Sequence, residues 1–258
     1  MRIVPVACLS DNYAYLVTCE KTGMMALVDA SEAEPVGAAI AATGKALRAI
    51  WSTHHHFDHV GANEDIAHRF EVRDIYGHIS DRGRIPGQTK FLSDGDTFAL
   101  GALEVRTMHI PGHTLGAVAY VVKSGASQAV FTGDTMFLGG CGRLFEGTPA
   151  QMHESLASLM KLDGKTEVYC GHEYTESNLR FALHLEPSNE AIVARQARAK
   201  ELRAAGKPTV PGTLDDEAKT NPFVRTASSD IRRKLGIPVD ADAATALAAI
   251  RKAKDDFR

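Results

Sequence analysis

Thr53-His54-His55-His56-Phe57-Asp58-His59-Val60-Gly61 is the stretch that decides the fold of this chain. It packs four potential metal ligands, His54, His56, Asp58 and His59, into six positions. The apolar residues 47–52 before it have the character of a short strand. In extended backbone, residues two apart share a face. His54 and His56 therefore point one way and His55 the other. A turn at Phe57 returns Asp58 and His59 toward the same cavity, and Gly61 permits the tight backbone that follows. Imidazole nitrogens and a carboxylate converging from neighbouring positions are the donor chemistry of a divalent-metal site.

Three more candidates end predicted strands in the same manner. His113 lies in Ile110-Pro111-Gly112-His113-Thr114, Asp134 in Phe131-Thr132-Gly133-Asp134, and His172 in Cys170-Gly171-His172. Each has a glycine directly before it, which lets backbone approach closely or adopt positive φ. The set is then five histidines and two aspartates. A catalytic zinc takes about three protein ligands, so seven suit two ions with one carboxylate bridging. Two ions ~3.5–4 Å apart can share a hydroxide as nucleophile. The donors are all nitrogen and oxygen, a set that accepts zinc, iron or manganese. Cys8, Cys19, Cys141 and Cys170 form no C-x-x-C pair and match no zinc or disulfide spacing. They are expected to be reduced thiols in the core or near the site.

Outward from this cluster, the first two thirds of the chain alternates strands with a few helices. Residues 2–9, 13–19 and 25–29 alternate or run apolar, with turns at Ser10-Asp11-Asn12 and Lys21-Thr22-Gly23. A helix is expected over 35–43, stopped by Gly44, and helical spacing covers 60–70. Strands are expected at 74–79, 97–100, 103–108, 118–123, 128–131 and 167–170, with a hairpin about Gly101-Ala102. A helix over 149–162 opens on Pro149. After Gly171 the pattern turns helical, over 176–185, 189–205, 229–235 and 243–255. Loops holding Pro208, Pro211 and Pro222 separate these helices. The expected organisation is a strand-rich mixed core with a helical appendage from about residue 173.

The 258 residues give ample chain for a hydrophobic core. A hydrophobic fraction of 44% and a charged fraction of 24% exclude a disordered, collagen-like or disulfide-stapled chain. No apolar run approaches the ~18–20 residues that span a bilayer. Residues 1–9 lack the features of a signal peptide, so a cytoplasmic protein with no membrane partner is expected. The net charge of −3 is unevenly spread. Residues 1–172 hold 14 Lys and Arg against 19 Asp and Glu, whereas residues 173–258 hold 15 against 13. An acidic body with a mildly basic tail disfavours nucleic acid. It suits bound cations in the body and a small anion at the tail.

The segment T-H-H-H-F-D-H-V-G at 53–61 resembles the H-x-H-x-D-H motif of the metallo-β-lactamase superfamily. Within that superfamily, P-G-H-T at 111–114, F-T-G-D-T-M-F at 131–137, G-C-G-R-L-F-E-G-T at 140–148, C-G-H-E-Y-T at 170–175 and T-N-P-F-V-R at 220–225 resemble the glyoxalase II, or hydroxyacylglutathione hydrolase, family. The likeness spans nearly the whole chain. It implies an α+β fold, a four-layer αββα metallo-β-lactamase sandwich with a C-terminal helical domain. The domains would be a dinuclear metal domain at 1–172 and a helical substrate-binding domain at 173–258.

By the same resemblance, His54, His56 and His113 bind one ion and Asp58, His59 and His172 the other. Asp134 bridges, and Asp58 and Asp134 are the carboxylates of the catalytic centre. Asp29 looks like the superfamily's carboxylate beneath the site. Substrate contacts would be Arg143, Phe145, Tyr174, Arg251 and Lys254, with Phe145 standing where some members carry tyrosine. Arg251 and Lys254 are three apart and so share one side of the final helix. Arginine and lysine both suit the carboxylates of glutathione. The implied activity is metal-dependent hydrolysis of the thioester S-(2-hydroxyacyl)glutathione, typically S-lactoylglutathione, to glutathione and a 2-hydroxy acid, completing methylglyoxal detoxification. Two divalent ions, zinc foremost, and a monomer are expected. A thiol of pKa ~8.5 leaves without much help from an acid, so no Ser-His-Asp triad is needed. The alternatives are a β-lactamase, lactonase, nuclease or mononuclear iron dioxygenase on the same scaffold, or a non-catalytic metal-binding protein. Loss of ligands would mark the last, and all seven are present.

Overall fold

The computed structural model describes residues 1–257. They divide into two units that interleave along the chain. Met1–His109, Gly116–Gly133 and Tyr169–His172 make the first; Ile110–Leu115, Asp134–Val168 and the residues from Glu173 on make the second.

In the first unit, β1 (Arg2–Cys8), β2 (Asn12–Thr18), β3 (Met25–Val28), β4 (Leu47–Trp51), β5 (Asp74–His78) and β6 (Lys90–Leu92) lie in that order in one sheet. The first three run antiparallel through tight turns. From β3 to β6 the pairing is parallel, with Val28 opposite Trp51 and Trp51 opposite Tyr76. Parallel neighbours need crossover connections. These hold α1 (Ala33–Thr43) and the pair α2 (Phe57–Val60) and α3 (Asn63–Arg69). Gly44, in the left-handed region at φ +63°, ends α1 as its sequence anticipates.

Every residue of β2 is buried, because both faces of this sheet are covered. On one face Leu16, Leu27 and Ile50 cluster with Val36, Ile40 and Ile66 from the helices. On the other, Tyr15 and Trp51 meet a second sheet of β7 (Thr97–Leu100), β8 (Leu103–His109), β9 (Val118–Ser124) and β10 (Ser127–Gly133), all antiparallel. Trp51 stacks on Tyr120 at 5.5 Å and meets Phe98 edge-on at 5.5 Å. Tyr15 packs against Phe131 at 5.4 Å and Tyr169 at 5.3 Å. Period-2 alternation thus sends small and aliphatic side chains to the helices and large aromatic ones between the sheets.

The helix expected over 60–70 is α3, over Asn63–Arg69, preceded by the separate α2, which ends at Val60. Between them Ala62 donates its backbone N–H to Ala30 O at 2.9 Å. That bond pulls the chain out of the helical ladder at Gly61-Ala62. The helix opening at Pro149 stops at Leu159 rather than 162.

The second unit carries a two-residue ladder, β11 (Met136–Phe137) with β12 (Gly140–Cys141), and then α4 (Pro149–Leu159). Thr148 and Gln151 cap α4 reciprocally. The strand β13 (Glu167–Cys170) pairs in this unit with β14 (Gly212–Thr213), Val168 opposite Gly212. The helices are α5 (Thr175–Leu185), α6 (Glu190–Ala204), α7 (Leu214–Thr220), α8 (Ser229–Leu235) and α9 (Ala243–Asp256). Leu179, Ala182, Ile192 and Ala199 form the core of the α5–α6 pair. Among the described residues, no helix is long and apolar enough to cross a membrane.

Candidate metal centre

The first unit gathers its donors at the end of β4 and around a buried carboxylate. Asp29 follows β3 in the left-handed region, at φ +55°. Its Oδ1 accepts from Thr53 N at 2.8 Å. Its Oδ2 accepts from Thr53 Oγ1 at 2.8 Å and lies 2.8 Å from His59 Nδ1. An ionised carboxylate only accepts, so His59 carries its proton on Nδ1 and offers a lone pair at Nε2. His172 is arranged alike, with Nδ1 2.8 Å from Asp11 Oδ1.

The consequence is a cluster of acceptors. His59 Nε2 and His172 Nε2 lie 3.3 Å apart. Asp58 Oδ2 lies 3.4 Å from His172 Nε2 and 3.8 Å from His59 Nε2. Donors about 2.0–2.1 Å from a tetrahedral ion are about 3.3–3.4 Å from one another. The three groups therefore fit a divalent cation in chemistry and spacing, and they are one of the chain's candidate metal-holding groups. Asn12 Nδ2 fixes the carboxylate by donating to Asp58 O at 3.1 Å and to Oδ2 at 3.0 Å.

His54 and His56 stand beside this cluster. The Thr53 hydroxyl proton goes to Asp29, so Thr53 Oγ1 accepts from His54 Nδ1 at 3.1 Å. His54 Nε2 is then a lone pair, 3.1 Å from His56 Nδ1. His55 faces elsewhere, with Nδ1 3.2 Å from Asp81 Oδ1. Gly133 sits at φ +48°, and a Cβ there would come 2.4 Å from Thr53 Oγ1, so only glycine fits this approach.

The second unit holds the remaining two donors. His113 Nδ1 donates to Arg143 O at 2.8 Å, which leaves Nε2 as the acceptor, 3.5 Å from Asp134 Oδ2. A Cβ on Gly142 would lie 2.0 Å from Asp134 O and 3.0 Å from His113 Nδ1. The residue after Cys141 must therefore be glycine for these two donors to sit together.

The expected substrate contacts also lie in this unit. Phe145 is exposed, its ring edge-on to His113 at 5.1 Å. Arg143 is exposed, with Nε 3.8 Å from Asp255 Oδ1. Tyr174 precedes α5 and meets Phe137 edge-on at 5.2 Å. Arg251 is buried: it donates to Cys141 O at 2.8 Å, pairs with Asp255 at 3.0 Å and lies over the Phe223 ring. Lys254 Nζ reaches Ser177 O at 3.2 Å and Ser177 Oγ at 3.1 Å. Its burial, with Arg251 and Arg180 nearby, pulls the ammonium down to about 8. Arg143, Phe145 and Arg251 line a groove of about 370 Å³.

Several residues of this architecture carry no motif signal. Asp11 and Asn12 have the composition of a turn, and nothing local announces a bond to His172 across 161 positions. Thr53 is ordinary until its hydroxyl is seen between Asp29 and His54. Asn221 and Glu217 also escape notice, although Asn221 Nδ2 donates to Gly140 O at 2.9 Å and Glu217 accepts from Gly139 N at 2.8 Å. Together they pin the turn between β11 and β12.

Known proteins resemble this chain over its whole length. The model of the metallo-β-lactamase superfamily matches residues 10–172, and that of the hydroxyacylglutathione hydrolase C-terminus matches 173–257. A hydroxyacylglutathione hydrolase of Rhodospirillum rubrum is 47% identical over 257 residues, covering 100% of this chain and 99% of its own. One from Synechococcus sp. (strain JA-3-3Ab) is 45% identical and fully covered on both sides. Among solved structures, one in a di-iron-bound form has a TM-score of 0.59 and 28% identity, covering 86% of this chain and 100% of its own. ETHE1 from Myxococcus xanthus, at TM-score 0.68 and 22% identity with full coverage of both chains, shares the fold. With two sheets flanked by helices and a helical C-terminal region, the chain belongs to the metallo-β-lactamase superfamily and, within it, to the hydroxyacylglutathione hydrolase family.

Proposed function

We propose that this chain is a metal-dependent thioester hydrolase that acts on S-(2-hydroxyacyl)glutathione, typically S-lactoylglutathione, and releases glutathione and a 2-hydroxy acid. The observation that carries this is the acceptor cluster of Asp58, His59 and His172, its far ring nitrogens tied to Asp29 and Asp11. Full-length relatives named hydroxyacylglutathione hydrolase support the choice of substrate.

In this proposal His54, His56 and His113 hold one divalent ion, Asp58, His59 and His172 a second, and Asp134 both. When bound, such ions supply an ionised water near neutral pH and an electrophile for the thioester carbonyl oxygen. The chain's own residues do the rest. Asp29 and Asp11 keep ring protons on the far nitrogens, so the imidazoles present lone pairs. Asp58 and Asp134 balance positive charge. Phe145 offers an apolar ring to the substrate and Tyr174 an amphipathic one. Arg143, Arg251 and Lys254 supply positive charge for the glutathione carboxylates, with Arg251 also fixing Cys141. The leaving thiolate, of pKa ~8.5, needs no proton from the protein.

Two ions, zinc before iron or manganese, are part of the proposal; the di-iron form of a 28% identical structure supports the count. So are a metal domain at 1–172, a substrate-binding domain at 173–258, and a cytoplasmic monomer without a nucleic-acid partner. Four free, buried cysteines suit a reducing compartment. The test is an assay of the purified protein against S-lactoylglutathione, other thioesters and a β-lactam. The glutathione thioester is expected to turn over fastest, and His54→Ala or Asp134→Ala to abolish turnover. Preference for the β-lactam, or full rate in Asp134→Ala, would contradict it.

A further inference from the structure

Asp81 is a fully buried carboxylate that no part of the proposed chemistry uses. It closes the one-turn helix Ile79–Asp81 between β5 and β6. Its partners are two: His55 Nδ1 at 3.2 Å and Arg84 Nη1 at 3.6 Å. Gly116 passes so close that a Cβ there would lie 2.3 Å from the carboxylate, which seals this side. A buried carboxylate is costly unless paired, so the cluster stands or falls with His55 and Arg84.

The third contact fixes the ring. Arg84 Nη2 touches His55 Nε2. A guanidinium has donors only and keeps its proton. His55 Nε2 is therefore an acceptor, and the ring's proton sits on Nδ1, toward Asp81. Arg84 is itself held near Asp81, its backbone N–H donating to Asp81 O at 2.8 Å.

His55 stands between His54 and His56. His54 Nε2 and His56 Nδ1 lie 3.1 Å apart while the ring between them turns to Asp81, so holding His55 on its own side keeps its two neighbours together on the other. Thr53, just before them, is tied to Asp29 and accepts from Val118 N at 2.8 Å. The loop is thus clamped at Thr53 on one side and at His55 on the other.

We infer that Asp81, with His55 and Arg84, is a positioning device: it orients the loop so that His54 and His56 present their nitrogens to a metal ion. This rests on the ligand roles proposed above. Asp81 touches neither substrate nor reacting atoms and acts through His55.

The test compares wild type with Asp81→Asn, which keeps shape and removes charge, and His55→Gln. Each is loaded with zinc for chelator competition and kinetics, and with cobalt(II) for its visible spectrum. Both variants are expected to bind zinc about tenfold more weakly, the low end of what losing a direct partner of a ligand costs, because they act one residue removed from the ligands. The cobalt bands should shift, and kcat should fall with KM unchanged. If the variants keep wild-type zinc affinity, cobalt spectrum and kcat, whatever their melting temperature, the cluster is a stabilising ion pair and the inference is wrong. If Asp81→Asn does not fold, His55→Gln decides on the same readouts. Wild type that takes up no metal overturns the ligand roles and this inference together. Wild type that loads normally beside indistinguishable variants overturns this inference alone.

Discussion

Asp29 shows how one side chain organises a site. It occupies a left-handed backbone position that few non-glycine residues adopt, and the geometry brings both its oxygens to Thr53 and His59. Its removal should release His59 directly and His54 through Thr53. Asp29→Ala is expected to weaken zinc binding ~10–100-fold in chelator competition; unchanged affinity would mean that the two rings are oriented by other contacts. Lys254 gives a pH prediction. Its burial lowers it from 10.5 to about 8, so it loses its charge as pH rises through 8. If it binds a substrate carboxylate, KM should climb above that pH, and Lys254→Gln should raise KM and flatten the climb. The stability term has the opposite trend. Between about 8 and 10.5 the unfolded chain binds more protons than the folded one at this lysine, so its contribution to stability grows with pH there. A KM that is flat from pH 7 to 10 would remove Lys254 from substrate binding.

At the level of elements, the short β11–β12 ladder depends on helix α7. Glu217 is fully buried, pairs with Arg195 Nη2 at 2.5 Å, and accepts from Gly139 N and from Asn221 Nδ2, both at 2.8 Å. Glu217→Ala strands a mostly buried guanidinium and frees the turn. It should lower unfolding stability in urea by about 3–5 kcal/mol, whereas a change below about 1 kcal/mol would show that the network contributes little. This region was also poorly legible in sequence. The sheets announced themselves through alternation and bounding turns, since their strands are covered on both faces or on one. β6, β11, β12 and β14 are two or three residues long, too short for any period to register. α7 follows Pro208 and Pro211, and its Leu-Asp-Asp-Glu start resembles a solvated loop until Thr213 is seen capping it. The break at Gly61-Ala62 was invisible because it is made by a bond to Ala30, thirty-two positions away.

At the scale of the molecule, the candidate donor clusters were legible because metal chemistry restricts residue type and spacing tightly. Their supports were not, since Asp11, Asn12, Thr53 and Asp81 act through distances in space that carry no local pattern. The two units interleave along the chain, so the helical tail and residues 134–168 belong to one body. That grouping puts His113 and Asp134 with the residues expected to hold substrate. Removing metal should thus silence the protein without emptying the groove proposed to hold substrate: the stripped protein is expected to bind a non-hydrolysable glutathione derivative in calorimetry while hydrolysing nothing. Loss of both on stripping would mean that the ions also build the groove. The most direct measurement is a titration of the stripped protein with zinc while S-lactoylglutathione hydrolysis is followed. Turnover should start near zero and level off at about two equivalents of metal per chain, the number that the seven donors suit. Full turnover before any zinc is added, or none at any loading, would contradict the account.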